Sequence, residues 1–137
     1  MKVMLDTNVL LDLFLDREPW NQEATLIWEA HERGVYEAFV SAIAPPTVFY
    51  ILRKQGIDVA RRAIARMLAT VEVAPVDKVI TQAAYASGMT DFEDAIQHEA
   101  AQAAGVDVIV TRDLSDFAGA TLPVLAPADF LRQIAPR

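Results

Sequence analysis

The chain has 137 residues, no cysteine and a formal net charge of −7; hydrophobic residues make up 53% of it and charged residues 23%. That length suits one domain burying roughly two-thirds of its unfolded surface, and the apolar content excludes a largely disordered chain. The lack of cysteine excludes disulfides, zinc–thiolate sites and cysteine nucleophiles and suits a reducing cytoplasm, while the acidic balance is opposite in sign to the basic face of a typical nucleic-acid binder.

The opening MKVMLDTNVLLDLFL is apolar but is broken by Asp6 and Asp12, and no small-residue cleavage site follows. Neither a signal peptide nor a membrane span is expected. Val3–Leu5 reads as the first strand, followed by a helix over 8–15 and a second over 19–33 that ends before Gly34. Trp20, Ala24, Ile27, Trp28 and His31 fall on one stripe of that second helix, so His31 reads as structural. Glu37–Ser41 is the second strand. Pro45 and Pro46 open a helical segment running to about Lys54, and a helix over about 57–69 follows with Ile57, Ala60, Ile64 and Leu68 as its buried stripe. Val71–Val73 is the third strand, and helices over 77–87 and 92–104 close at Gly88 and Gly105. Asp107–Thr111 and Pro123–Leu125 are the last two strands, before a short helix from Ala128 to about Ile134.

The strands are short and apolar with little polar alternation, as strands covered on both faces are. Alternating strands and helices imply βαβ units, hence an α/β fold with a mainly parallel, doubly wound sheet. No internal repeat or linker interrupts the pattern, so residues 1–137 read as a single domain. One basic run stands out: Arg53, Lys54, Arg61, Arg62 and Arg66 face only Asp58 within fourteen positions. It reads either as a solvated helix face or as a strip that tracks phosphates.

In an open α/β sheet, ligands bind beyond the carboxyl ends of the strands. Asp6 ends the first strand, Asp113 and Asp116 follow the fourth, and Asp91, Glu93 and Asp94 open the helix before it. If the first and fourth strands are neighbours, Asp6 and Asp113 share one crevice, and the helix from Asp91 brings Asp94 there. Converging carboxylates repel unless a cation or protons compensate. An all-oxygen set suits Mg²⁺ or Mn²⁺ better than zinc. Each cluster also has a plain structural reading: Asp6-Thr7-Asn8 as a helix cap, Asp91 and Asp94 as a capping pair, Asp113 and Asp116 as turn formers.

Three stretches carry a resemblance. Met4–Asp12, Asp91–Ala95 and Val110–Phe117, together with Val40–Ile43 leading to Tyr50–Lys54 and the ending Leu122–Leu131, look like PIN domains. They are most similar to the branch of VapC-type toxins from bacterial toxin–antitoxin pairs, over nearly the whole chain. The resemblance implies a three-layer α/β/α fold with a five-stranded parallel sheet in the order 3-2-1-4-5. It implies a Mg²⁺- or Mn²⁺-dependent ribonuclease in the cytoplasm, with RNA as substrate, a small antitoxin as partner, and a homodimer. It carries the metal-binding acids onto Asp6, Asp94 and Asp113, and polar pocket positions onto Asn8 and Thr111. Asp91 and Asp116 are secondary pocket candidates. One departure matters: many family members place a Glu six residues after the serine that ends the second strand, where this chain has Thr47. Asp91, Glu93 or Asp116 is then needed to make up the charge, or the ion binds weakly.

Three functional readings follow. The first is a metal-dependent endoribonuclease, the second a non-catalytic PIN-like module that binds RNA or protein through the same face. The third, a haloacid-dehalogenase-like phosphatase, is disfavoured because Asp6-Thr7-Asn8 lacks the second acid of its Asp-x-Asp opening and no glycine-rich phosphate loop appears. His98, one turn after Asp94, reads as a packed histidine ahead of a pocket residue. Trp20, Trp28, Phe49 and Tyr50 read as core or interface ahead of base-stacking groups. Arg112 reads as a phosphate contact or as charge balance for the acids.

Overall fold

The computed structural model describes residues 1–136. Five strands form one sheet: β1 (Lys2–Leu5), β2 (Glu37–Ser41), β3 (Glu72–Ala74), β4 (Val108–Val110) and β5 (Val124–Leu125). Their spatial order is β3-β2-β1-β4-β5 and every pairing is parallel. β1 is central: Met4 lies opposite Phe39 of β2 and Ile109 of β4. Placing β1 beside β4 is what brings the first and last acidic segments together.

The helices are α1 (Thr7–Phe14), α2 (Asn21–Glu32), α3 (Ala44–Leu52), α4 (Ile57–Thr70), α5 (Lys78–Ala86), α6 (Phe92–Ala103) and α7 (Pro127–Ile134). Short 3₁₀ turns cover Arg53–Gln55 and Leu114–Phe117. Among the described residues, no helix is long and apolar enough to cross a membrane. Proline in the first turn starts α3 and α7, and Gly34 and Gly105 take positive φ where α2 and α6 stop.

Strand side chains alternate between two cores, which is why the strands read as continuous apolar runs. Val3, Leu5, Ala38, Val40, Val108 and Val110 pack with Leu10, Ile27, Trp28, Leu52, Met67 and Phe130. Met4, Phe39, Ala74 and Ile109 pack on the other face with Ala100, Ala101, Val106 and Phe117. Tyr36 and Phe130 meet edge to face at 5.0 Å, tying α7 to the start of β2. His31 is structural, its ring nitrogens engaging the backbone of Tyr36, Ala38 and Thr70.

Two stripes differ from the sequence expectation. On α4 the buried residues are Ala60, Ala63 and Met67, while Ile57 and Leu68 are about half exposed. Small alanines let α4 lie close against its neighbours, so the bulky residues at its two ends fall to the flanks. On α2, Ala24, Ile27, Trp28 and His31 are buried, but Trp20 lies before the first turn and is 42% exposed. Strand bounds also shift slightly, β3 running one residue later than expected and β4 being trimmed to three.

Phe130 is fully buried and joins α7 to the larger core. Phe130→Ala should lower unfolding stability by about 3–5 kcal/mol, measured by urea denaturation, with α7 the first element to lose amide-exchange protection.

Candidate functional site

Asp6 occupies the capping position of α1, yet its side chain caps nothing there. Its backbone N–H extends the β1–β4 ladder by donating to the Val110 carbonyl at 3.0 Å, which aims the carboxylate across the carboxyl edge of the sheet. Thr111, wholly buried at the end of β4, donates its hydroxyl to Asp6 Oδ2 at 2.6 Å. Gln97 of α6 donates Nε2 to Asp6 Oδ1 at 2.8 Å and to Asp94 Oδ1 at 3.4 Å. Three elements thus converge on one buried carboxylate.

The network continues outward from Thr111. Its hydroxyl oxygen accepts from Asn8 Nδ2 at 3.3 Å and from the Asp113 N–H at 3.1 Å, and Asn8 Nδ2 also donates to Asp113 Oδ2 at 3.2 Å. Asp91 does act as a cap, accepting the Asp94 N–H at 3.0 Å. Asp116 and Glu93 make no contact within this network, but their charges act on Asp94. The structure therefore links Asp6, Asn8, Asp94, Thr111 and Asp113 by hydrogen bonds and leaves Asp91 and Asp116 at the margin.

Burial is the main reason both inner carboxyls resist ionisation. It raises Asp6 above the usual carboxylate range against the lowering effect of Thr111, Gln97 and the Thr7 backbone, and the Asp113 charge adds to the rise. Asp94 is pushed up to about 7, by burial first and then by the charges of Asp6, Asp91, Asp116 and Glu93. A divalent cation here would relieve both effects at once.

The donor chemistry fits such an ion: hard oxygens throughout, with no thiolate in the chain. Gln97 Oε1 and Ser41 Oγ are buried without a hydrogen-bond partner. Ser41 ends β2 two residues beyond the Met4–Phe39 pair, level with Asp6. The spacing is looser than the chemistry. Among the described residues, no three carboxylates or imidazoles are grouped closely enough to hold an ion as they stand. Amide groups of Gln97 and Asn8 lie between the acids instead.

Gln97 and Ser41 escaped the sequence reading. Gln97 lies three residues after Asp94, and that spacing on one helix face was the available signal. Thr47 spends its hydroxyl on the Ile43 carbonyl at 2.8 Å, an ordinary helix back-bond. His98 accepts the Thr121 and Leu122 N–H groups through Nε2, so it holds the β4–β5 connection. Arg112 does not balance the site acids. It forms a two-pronged pair with the buried Asp12 at 2.9 and 3.1 Å, and Arg17 reaches the same carboxylate at 2.9 Å. In the basic run, Arg66 pairs with Glu32 and Arg53 stacks on Tyr50.

A family model described as PIN domain matches residues 2–115. Solved structures share the architecture. A toxin–antitoxin complex from Klebsiella pneumoniae matches at 26% identity and TM-score 0.69, over 91% of this chain and 97% of that one. VapBC-1 from nontypeable Haemophilus influenzae matches at 19% identity and TM-score 0.70, over 93% and 99%. VapC20 of Mycobacterium tuberculosis, a sarcin–ricin loop cleaving toxin, matches at 16% identity and TM-score 0.63, over 78% and 86%. No curated protein matches the sequence.

The raised carboxyl pKa values set a sign for stability. A group held at about 7 in the fold and near 3.8 when unfolded contributes fully below pH 4, and its contribution is lost as pH rises to 7 and beyond. In EDTA the melting temperature should therefore fall between pH 4 and pH 8, by no more than ~1.4 kcal/mol of stability per pH unit for one proton. Asp94→Asn should flatten that slope and melt higher than the parent at pH 8 in a thermal scan.

Proposed function

The chain belongs to the PIN domain family, and from that membership we propose that it is a Mg²⁺- or Mn²⁺-dependent endoribonuclease, the toxin of a toxin–antitoxin pair. The observation that carries this reading is the Asp6 carboxylate, buried at the carboxyl edge of β1 where β4 and α6 both present polar groups to it. A carboxylate that only capped α1 would be held by a capping bond to the helix's first turn; none forms, and the side chains of Thr111 and Gln97 engage it instead.

Asp6, Asp94 and Asp113 would hold the ion. When bound, the ion supplies charge neutralisation on the phosphodiester oxygens and makes water more acidic. The chain's own polar groups do the positioning. Thr111 fixes the rotation of the Asp6 carboxylate, and Asn8 couples Asp113 to Thr111. Gln97 bridges Asp6 and Asp94 without adding charge. Asp91 and Asp116 supply further negative potential around Asp94, in part replacing the carboxylate that Thr47 lacks. The toxin assignment draws support from the 26% identical Klebsiella complex. A small antitoxin chain, a homodimeric assembly, a cytoplasmic setting and a single domain over 1–137 belong to the same proposal.

A second reading, a PIN-like module that binds RNA or protein without cutting, is favoured by two observations: the Thr47 hydroxyl is turned into its own helix, and the acids are not gathered into a cluster. Two measurements separate the readings. Asp6→Asn should abolish cleavage of a single-stranded RNA in Mn²⁺ while preserving the far-UV spectrum, and equal rates for variant and parent would sink the nuclease reading. Calorimetric titration should show the parent binding Mn²⁺ and Asp6→Asn losing at least tenfold in affinity. No heat at millimolar metal would favour the non-catalytic module.

A further inference from the structure

Trp20 stands apart from the other aromatic side chains of α2's surroundings: it is a large ring, 42% exposed, at the turn that leads into the helix. Its ring rests against the Arg112 guanidinium, 3.9 Å from ring centre to the guanidinium carbon. That guanidinium is not free to swing, because two of its nitrogens are spent on the buried Asp12. The turn carrying Trp20 is itself tied down. Asn21 donates to Asp16 at 2.7 Å and Arg17 donates to Asp12 at 2.9 Å. The ring is therefore preorganised, and a partner stacking on it forfeits little conformational entropy.

A cavity of about 190 Å³ opens beside this ring, lined by Trp20, Glu23, Arg112, Ala126, Pro127 and Ala128. Four of these six residues, Trp20, Ala126, Pro127 and Ala128, are small or ring-shaped and apolar, a wall suited to something flat. The cavity is linked to the carboxylate network through the Arg112 backbone. Arg112 lies between Thr111 and Asp113 in the chain, and its N–H donates to Asn8 Oδ1 at 3.4 Å. The lining also selects what enters. Asp12 takes up two of the Arg112 nitrogens, and Glu23 makes no hydrogen bond or ion pair among the described residues. A phosphate would find no uncommitted cation here and would meet a carboxylate. A nucleobase would find an aromatic face and an acceptor. Guanine fits best, since its adjacent N1–H and N2–H donors can both be accepted by one carboxylate.

We propose that Trp20 and Glu23 form a subsite that takes one guanine of a single-stranded RNA and so sets where the strand lies across the carboxylates. This rests on the ribonuclease reading for its meaning, but base binding is measurable without cleavage. In EDTA, the Asp6→Asn protein would be titrated with fluorescently labelled UUUGUUU and UUUUUUU heptamers and followed by anisotropy. The guanine-containing heptamer should bind at least about fivefold tighter. Adding Trp20→Ala should weaken its binding roughly 5- to 100-fold, Trp20→Phe should recover most of the loss, and Glu23→Ala should erase the preference for guanine. Trp20 lies outside the core, so thermal melting should place all these variants within a few degrees of the parent. Equal affinity for the two heptamers, or unchanged affinity in Trp20→Ala, would overturn the subsite. Absence of cleavage by the unmutated protein in Mn²⁺, alongside Trp20-dependent binding, would instead refute the nuclease reading and leave the subsite standing.

Discussion

The arrangement of this molecule at its functional edge turns on one cost, that of burying the Asp6 carboxylate at the end of the central strand. Taking a carboxylate out of water costs several kcal/mol even after relaxation. Each hydrogen bond to the charged group returns roughly 1.5–3 kcal/mol. Thr111, Gln97 and the Thr7 backbone all donate to it, yet desolvation outweighs them, and the nearby Asp113 charge adds a smaller repulsion. An edge that neutral donors cannot satisfy is an edge that attracts protons or a cation. Asp94 meets the same deficit from the other side, surrounded by four more acids.

Asp12 shows the opposite arrangement, a buried carboxylate met by arginines. It lies less than two turns along α1 from Asp6 and is at least as buried, but Arg17 and Arg112 both reach it. The two arginines nearest the edge are thus committed one layer away, and the acids at the strand ends keep only amide and hydroxyl partners. Breaking a buried pair leaves an uncompensated charge and is strongly destabilising, so this allocation is not readily undone. It also makes Arg112 a rigid support for Trp20 rather than a mobile phosphate clamp. Charge segregation on α1 therefore shapes both the carboxylate site and the aromatic wall beside it.

Much of this was legible in the chain. Short apolar runs separated by helical periods marked all five strands, and the parallel order follows from the PIN resemblance carried by Met4–Asp12, Asp91–Ala95 and Val110–Phe117. Asp6 and Asp113 drew attention because strand ends bear sites in such sheets, the PIN resemblance added Asn8 and Thr111, and the structure joins all four by hydrogen bonds. Gln97 was not legible, since a polar residue inside a helix looks like surface until the sheet determines which face is inward. The α4 stripe misled because alanine and isoleucine score alike as apolar while packing at different distances. Ile57 and Leu68 therefore looked buried where Ala63 and Met67 are. Trp20 misled in the opposite sense. Extending the period of α2 backward by one residue assumed a helix that the chain has not yet begun.

The acidic balance of the chain, at odds with a nucleic-acid role on composition alone, fits the proposed ribonuclease reading better when the surface is taken by region. Phosphate contacts made by free lysines and arginines are what tie affinity to salt. Here several basic side chains are already occupied: Arg17 and Arg112 on Asp12, Arg66 on Glu32, Arg53 against Tyr50. On the ribonuclease reading, a strand held near these carboxylates needs recognition that does not depend on net positive charge, and stacking on an exposed ring is such a mode because every base offers a π face. The departure at Thr47 bears on the same balance. On the same reading, one carboxylate fewer than the family commonly carries would lessen the edge's repulsion of an incoming phosphodiester. The acids that remain then depend more on how Gln97 and Thr111 hold them than on their number.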